Sequence, residues 1–343
     1  MPMPKLPFER PDPLGTLREY AQLRAGAPVA RVTTADGQPA WLVTSHDAAA
    51  AALPDPRLRA TPPGAESPWD GESHLRMRRL VAKAFTPRKV EAVRPRVEQL
   101  AREQAAVFAA AGPPGDLVDG FAAPLSIGVI AELLGVAIDE RDRFRTLADA
   151  ASAADPFAAD AGDDTAAAWE AFGGYAAELV GYKREQLGGD LLSDLIRVHD
   201  AADGRLADDE LILLVTVLVA SGYLTATNAI AVSALLLLAH DRLAEMTEGD
   251  VTATVEELVR LRIGLIGEPF PRYAHEDVEL AGVPIAKGDR VLVRLEAANR
   301  DPAQYPDPDE LLPQRPPGPR LTFGRGRTTA QAPRSPASRS PRR

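Results

Sequence analysis

Residues 211–240 read LILLVTVLVASGYLTATNAIAVSALLLLAH, without one Asp, Glu, Lys or Arg. How this stretch is read decides the fold class. About 20 apolar residues suffice to cross a bilayer, so a membrane span is one reading. Its middle, Ser221-Gly222-Tyr223-Leu224-Thr225-Ala226-Thr227-Asn228, is a dense polar cluster for a lone span. Its flanks, Asp208-Asp209-Glu210 and Asp241-Arg242, lack a basic anchor cluster. The stretch is therefore expected to be a long helix through the core of a large helical domain. Asp208 is its expected cap. Thr225 is placed to bond back to the carbonyl four residues earlier and bend the helix.

Working outward, the preceding chain has helical texture. Helices are expected near Leu14–Arg24, from Ser45 (as cap) to Leu53, from Ser73 to Phe85, and from Pro87 to Ala111, where Pro87 suits a first turn. Residues 117–135 are apolar and end at Gly135, as a buried helix would; more helices follow at about 139–153, 165–187 and 190–198. Downstream, residues 252–262 form another. The β signal is minor. Val29–Thr33 and Ala40–Thr44 flank a turn at Ala35-Asp36-Gly37, and residues 277–280, 283–285 and 290–293 are short strands separated by Gly282 and Lys287-Gly288-Asp289. Residues 299–320 are Pro/Asp-rich coil. The fold class is mainly α with a minor β region. One domain is expected over 1–327, followed by a disordered basic tail at 328–343.

Composition narrows the function. The 343 residues hold 39 Lys+Arg against 49 Asp+Glu, a net charge of −10, which argues against a general nucleic-acid binder. There are no cysteines, which excludes disulfides, thiolate zinc sites, iron–sulfur clusters and a cysteine nucleophile. The opening MPMPKLPFERPDP has no apolar segment typical of a secretory signal, and a cytoplasmic location is expected. The five histidines form no helical metal pair. His74 and Arg78 share a helix face, as an anion clamp or as a solvated basic face. Glu257 and Arg260, three apart, are compatible with an ordinary surface ion pair.

Taken in order, these segments resemble the cytochrome P450 family, specifically its soluble bacterial members. His74-Leu75-Arg76-Met77-Arg78-Arg79-Leu80-Val81 is similar to the family's HxRxRRLV helix. Glu257-Leu258-Val259-Arg260 matches its ExxR, Ala298-Asn299-Arg300-Asp301-Pro302 its ANRDP, and Phe323-Gly324-Arg325-Gly326 its FGxG. The resemblance implies a haem cofactor whose propionates are held by His74, Arg78 and Arg272. It implies a structural role for Glu257 and Arg260, and a catalytic hydroxyl at Thr225. It also implies a ferredoxin-type electron donor and a small hydrophobic substrate. The chain carries no nicotinamide-binding motif of its own.

Two departures matter. Leu224 stands where the family carries the acid that, with the alcohol, relays protons. The haem-ligand cysteine is missing, so no axial thiolate is available to favour O–O cleavage and no metal ligand is assigned. The Cys loop and C-terminal helix of the family's core are therefore expected to be lacking. The tail offers a reason. Thr328–Ser340, back-translated and read one base out of register from the end of the Arg327 codon, can be written His-His-Cys-Pro-Gly-Ala-Pro-Leu-Ala-Arg-Leu-Glu-Val. This continues FGxGxHxCxG, and the Cys requires T at the end of the Thr329 codon. A one-base deletion at the Arg327 codon is expected. The function so implied is a haem-dependent monooxygenase of a secondary-metabolite-like substrate, crippled as encoded and binding haem weakly if at all. The alternative is a haem-free relative that stabilises or activates a glycosyltransferase.

Overall fold

The computed structural model describes residues 3–12, 14–65, 70–84, 86–153, 163–200, 208–244, 246, 249–262, 271–316 and 318–325. The expected tail at 328–343 lies outside them. The chain divides into two compact units. Unit one is Met1–Leu75 with Val232–Arg343, and unit two is Arg76–Ala231. The boundaries fall inside two helices, α3 (Gly71–Ala84) and α9 (Asp208–Ala239).

Unit one carries the β structure. β1 (Val29–Thr33) and β2 (Pro39–Val43) form the expected hairpin, turning at Gly37 with φ 77°. β2 pairs in parallel with β7 (Arg290–Val293), and β4 (Arg272–Ala274) and β3 (Leu58–Arg59) complete a sheet of order β1-β2-β7-β4-β3. β5 (Val278–Leu280) and β6 (Val283–Ile285) make a separate hairpin. Val29, Val43, Val291 and Ala274 pack beneath α2 (His46–Ala52), whose N-cap Ser45 accepts from the Ala48 amide as expected. The first helix is displaced from expectation. α1 is Arg18–Gly26; ahead of it, the Leu14 amide donates to the Asp12 carboxylate at 2.9 Å. α10 (Val251–Leu261) is capped by Asp250, and the short α11 (Leu295–Asn299) follows β7.

Unit two is helical: α4 (Pro87–Ala111), a π turn (Val118–Ala122), α5 (Ala123–Leu134), α6 (Arg141–Ala153), α7 (Asp163–Glu185) and α8 (Leu191–Asp200). α4 has the expected bounds. Thr86 caps it, Pro87 opens it, and Gly112 ends it at φ 72°, a conformation that Cβ disfavours. Gly135 ends α5 at φ 65°, and an added Cβ there would stand 2.3 Å from Lys183 Nζ, which is bound to Asp190 at 2.8 Å. The core gathers Phe144, Phe172, Tyr175, Leu192, Leu195 and Ile196.

Into that core α9 sends Leu211, Leu214, Val215, Val219 and Tyr223, a helical spacing that lays one face against the other helices. α9 is long and apolar enough to cross a membrane by length and composition. Buried residues make up 33% of its most apolar window, and the face from Leu211 to Tyr223 enters the core of unit two. Asp208 proves to be its first helical residue rather than a cap, and its carboxylate accepts from Arg184 at 2.5 and 3.1 Å. A carboxylate in the first turn still favours the helix dipole.

Candidate functional site

In unit one, α10 brings Glu257 and Arg260 together away from solvent, with 4% and 1% of their surface exposed. The surface-pair reading is thus excluded. Arg260 donates from Nε and Nη2 to the two Glu257 oxygens at 2.8 and 2.7 Å. Its remaining donors reach the carbonyls of Asn299 (2.9 Å), Pro308 (2.7 Å) and Glu310 (3.2 Å), and the guanidinium lies 5.1 Å over the Tyr305 ring. Arg315 adds a bond to Glu257 at 2.9 Å. Burial works to raise the Glu257 pKa, but the bonds from Arg260 and Arg315 outweigh it and hold the carboxyl below its ordinary value.

This network fixes the loop that begins at Leu321. Asn299 accepts from the Leu321 amide at 2.9 Å and donates to Thr322 Oγ1 at 2.7 Å, while Thr322 Oγ1 donates to the Val259 carbonyl of α10 at 2.9 Å. Arg300 donates to the Leu261 carbonyl at 2.7 Å, and Asp301 accepts from the His46 amide at 2.8 Å. The segment is thereby delivered to Phe323-Gly324-Arg325, with Gly324 at φ 73°.

In unit two, the centre of α9 is held from several sides. A Cβ at Gly222 would stand 3.1 Å from Ile130 Cδ1, so α9 approaches α5 closely there. The buried Tyr223 donates its hydroxyl to Asp149 of α6. Thr225 donates to the Ser221 carbonyl, as expected, and is exposed beside Leu224. Burial, then the bond to Asp149, raises the Tyr223 pKa well past its ordinary value. For an acid shifted upward, the stabilisation is present below the unfolded pKa and is lost as pH rises through the folded one. Tyr223→Phe is expected to cost about 1–2 kcal/mol in denaturant unfolding. The phenolate absorbance change near pH 10 is expected to be the same in parent and variant, because Tyr223 does not titrate there in the folded parent.

Of the remaining expected residues, His74 and Arg272 belong to unit one and Arg78 to unit two. All three are partly buried. Burial lowers the pKa of the Arg78 guanidinium, and that of Arg272 against an opposing contribution from Asp70.

A profile of the cytochrome P450 family matches residues 250–327. The 6-deoxyerythronolide B hydroxylase of Saccharopolyspora erythraea is 39% identical over 339 residues, covering 90% of this chain and 82% of that protein. The chain belongs to the cytochrome P450 family. The P450 monooxygenase PikC of Streptomyces venezuelae is 38% identical, covering 92% of this chain and 78% of that protein. The solved Streptomyces peucetius CYP105P2, in complex with a biphenyl compound, superposes with a TM-score of 0.85 at 34% identity, covering 96% of this chain and 86% of that one. This P450 thus has the expected fold, and its relatives include hydroxylases of secondary metabolism.

The family's cofactor is haem, and the donor set of this P450 fits only half of it. Arg78 and Arg272 are partly buried guanidiniums, one in each unit, and by its charge each suits an anionic group such as a propionate. The iron side does not fit. The chain has no cysteine to supply the axial thiolate the family uses. Sequence reasoning missed Arg315, Tyr305 and the Tyr223–Asp149 pair, whose partners lie far apart along the chain.

Proposed function

We propose that this P450 descends from a monooxygenase of a small hydrophobic secondary metabolite and that the chain as translated cannot hold a thiolate-ligated haem. The observation that carries this is the absence of any cysteine in a chain that otherwise keeps ExxR, ANRDP and the start of the haem loop. His74, Arg78 and Arg272 are assigned to the haem propionates, and Thr225 to the oxygen-side hydroxyl. The relative from Saccharopolyspora erythraea, a hydroxylase of 6-deoxyerythronolide B, supports a ligand of that class. A ferredoxin-type donor and a cytoplasmic, membrane-free location complete the reading.

A one-base deletion at the Arg327 codon accounts for the missing ligand. With T closing the Thr329 codon, the neighbouring frame can encode Cys in the expected register and, further on, Leu-Ala-Arg-Leu-Glu-Val, an amphipathic run. In unit one, Leu235, Leu238, Leu243, Val251, Val255 and Phe323 are all exposed apolar side chains, available for a restored segment to cover. Sequencing the genomic DNA across codon 327 tests this. A T closing the Thr329 codon, with the neighbouring frame open beyond Ser340, is the expected result; any other base there removes the Cys and refutes it.

The absence of Cys and the presence of Leu224 also favour a second reading, a haem-free partner of a glycosyltransferase. Co-purification with such an enzyme, and loss of its activity without this chain, would establish that role instead.

A further inference from the structure

A cavity of about 260 Å³ in unit one lies between the first turns of α10 and the chain from Tyr305 to Arg320. Asp250 and Thr252, at the start of α10, are exposed and stand at its mouth, while Glu257, Arg260 and Tyr305 are buried at its inner end. Its charged groups already have partners. Arg260 commits five donor bonds, to Glu257 and to the carbonyls of Asn299, Pro308 and Glu310. Arg315 binds Glu257, Arg320 pairs with Glu256, and Asp250 accepts from the Ala253 amide. Three carboxylates thus face three guanidiniums. Tyr305 is the exception. It is 2% exposed, and among the described residues of the lining its hydroxyl is the one buried side-chain polar atom without a hydrogen-bond partner. Burial pushes its pKa up to about 12, so it stands as a neutral phenol. Room is left beside it: a Cβ at Gly318 would stand 3.1 Å from Tyr305 Cε1 and 3.7 Å from its oxygen.

We infer that this cavity is a binding site for a small neutral alcohol, whose oxygen accepts from the Tyr305 hydroxyl. A buried phenol without a partner is costly, and in native proteins such a group usually meets a water or a ligand. The balanced charges of the lining select neither an anion nor a cation. The volume exceeds the roughly 30 Å³ share of one water several times over, yet lies below that of most ligand pockets, which limits an organic occupant to a few heavy atoms. Such an occupant reaches the hydroxyl and also covers the apolar wall of Ala253, Pro313 and Pro316. Seated there, it links α10 to the run 313–320 that leads into the haem loop, and so stiffens that run. No haem ligand is needed for this, so it stands apart from the assignment of the propionate residues.

The probe is trifluoroethanol, titrated into the full chain and followed by the broadening of its fluorine NMR line. Saturable binding in the millimolar range is expected. Tyr305→Phe is expected to weaken it roughly 2- to 10-fold, the worth of one net hydrogen bond. Gly318→Ala, whose Cβ takes the space beside the hydroxyl, is expected to weaken it at least as much. Trifluoroacetate, of similar size but negatively charged, is expected to bind at least about fivefold more weakly than the alcohol, because it gives up its hydration with no unpaired cation to meet it. No saturation, or parent-like affinity in both variants, would mean that water alone fills the cavity and would overturn the inference. Trifluoroacetate binding as tightly as the alcohol would overturn it too. Should the variants lose the parent's circular dichroism spectrum, the two probes compared on the parent chain decide: saturation by the alcohol and not by the anion supports the site, and any other result refutes it.

Discussion

Arg260→Ala is expected to destabilise the protein by about 3–5 kcal/mol, as judged by thermal unfolding followed by circular dichroism. The side chain is 1% exposed and bonds both Glu257 oxygens and the carbonyls of Asn299, Pro308 and Glu310. Its removal leaves the Glu257 carboxylate buried, with Arg315 as its remaining cationic partner. Whole proteins are stable by only about 5–15 kcal/mol, so the loss is a large fraction of the total. Arg260→Lys is expected to rescue little, because one ammonium cannot replace a planar fork of donors. Glu257→Leu combined with Arg260→Met is expected to remain destabilising, since Arg315 then loses its carboxylate and the carbonyls of Asn299, Pro308 and Glu310 lose their donors. The same pair gives an acid dependence. The Glu257 pKa is depressed in the fold, so its stabilisation is present above the unfolded carboxylate value and is lost as pH falls through the folded one. An Arg260→Ala variant that melts with the parent chain would refute the network's role.

The second large effect concerns the loop after Phe323. Inserting one base at codon 327, so that the chain continues through the neighbouring frame, is expected to create tight haem binding. With free haem at about 100 times its Kd, binding to the folded state alone adds about 2.7 kcal/mol. For a protein of this size that corresponds to a rise in Tm of roughly 3–4 °C. The chain as translated is expected to rise by clearly less, because its contacts are limited to the propionate side. The restored chain is also expected to bind less of an apolar dye, as the surface around Leu235, Leu238 and Val255 becomes covered. Equal haem-induced shifts in the two proteins would show that the missing segment contributes no ligand.

Much of the fold was legible where local chemistry is strong. Thr86-Pro87 and Gly112 bracket α4, and the hydrophobic spacing of Leu211, Leu214, Val215 and Val219 marks a helix whatever it packs against. β3 and β4 were not legible, because strands of two and three residues exist only through pairing with one another and with β7. The site divides in the same way. Glu257 and Arg260 were visible as a spacing, yet the same spacing suits a surface pair. What distinguishes them is the meander of 299–315 folding over α10, a long-range event. Tyr223 and Asp149, 74 residues apart, had no local signature at all. Tyr305 was in view as part of a Pro/Asp-rich coil, but only its buried, unpartnered hydroxyl sets it apart.

The most direct measurement is the absorption spectrum of the purified chain, loaded with haem and reduced under carbon monoxide, beside that of the frame-restored protein. The account predicts no red-shifted thiolate Soret band from the chain as translated, which has no cysteine, and a clear one from the restored protein. A thiolate band from the chain itself, or none from the restored protein, would contradict it.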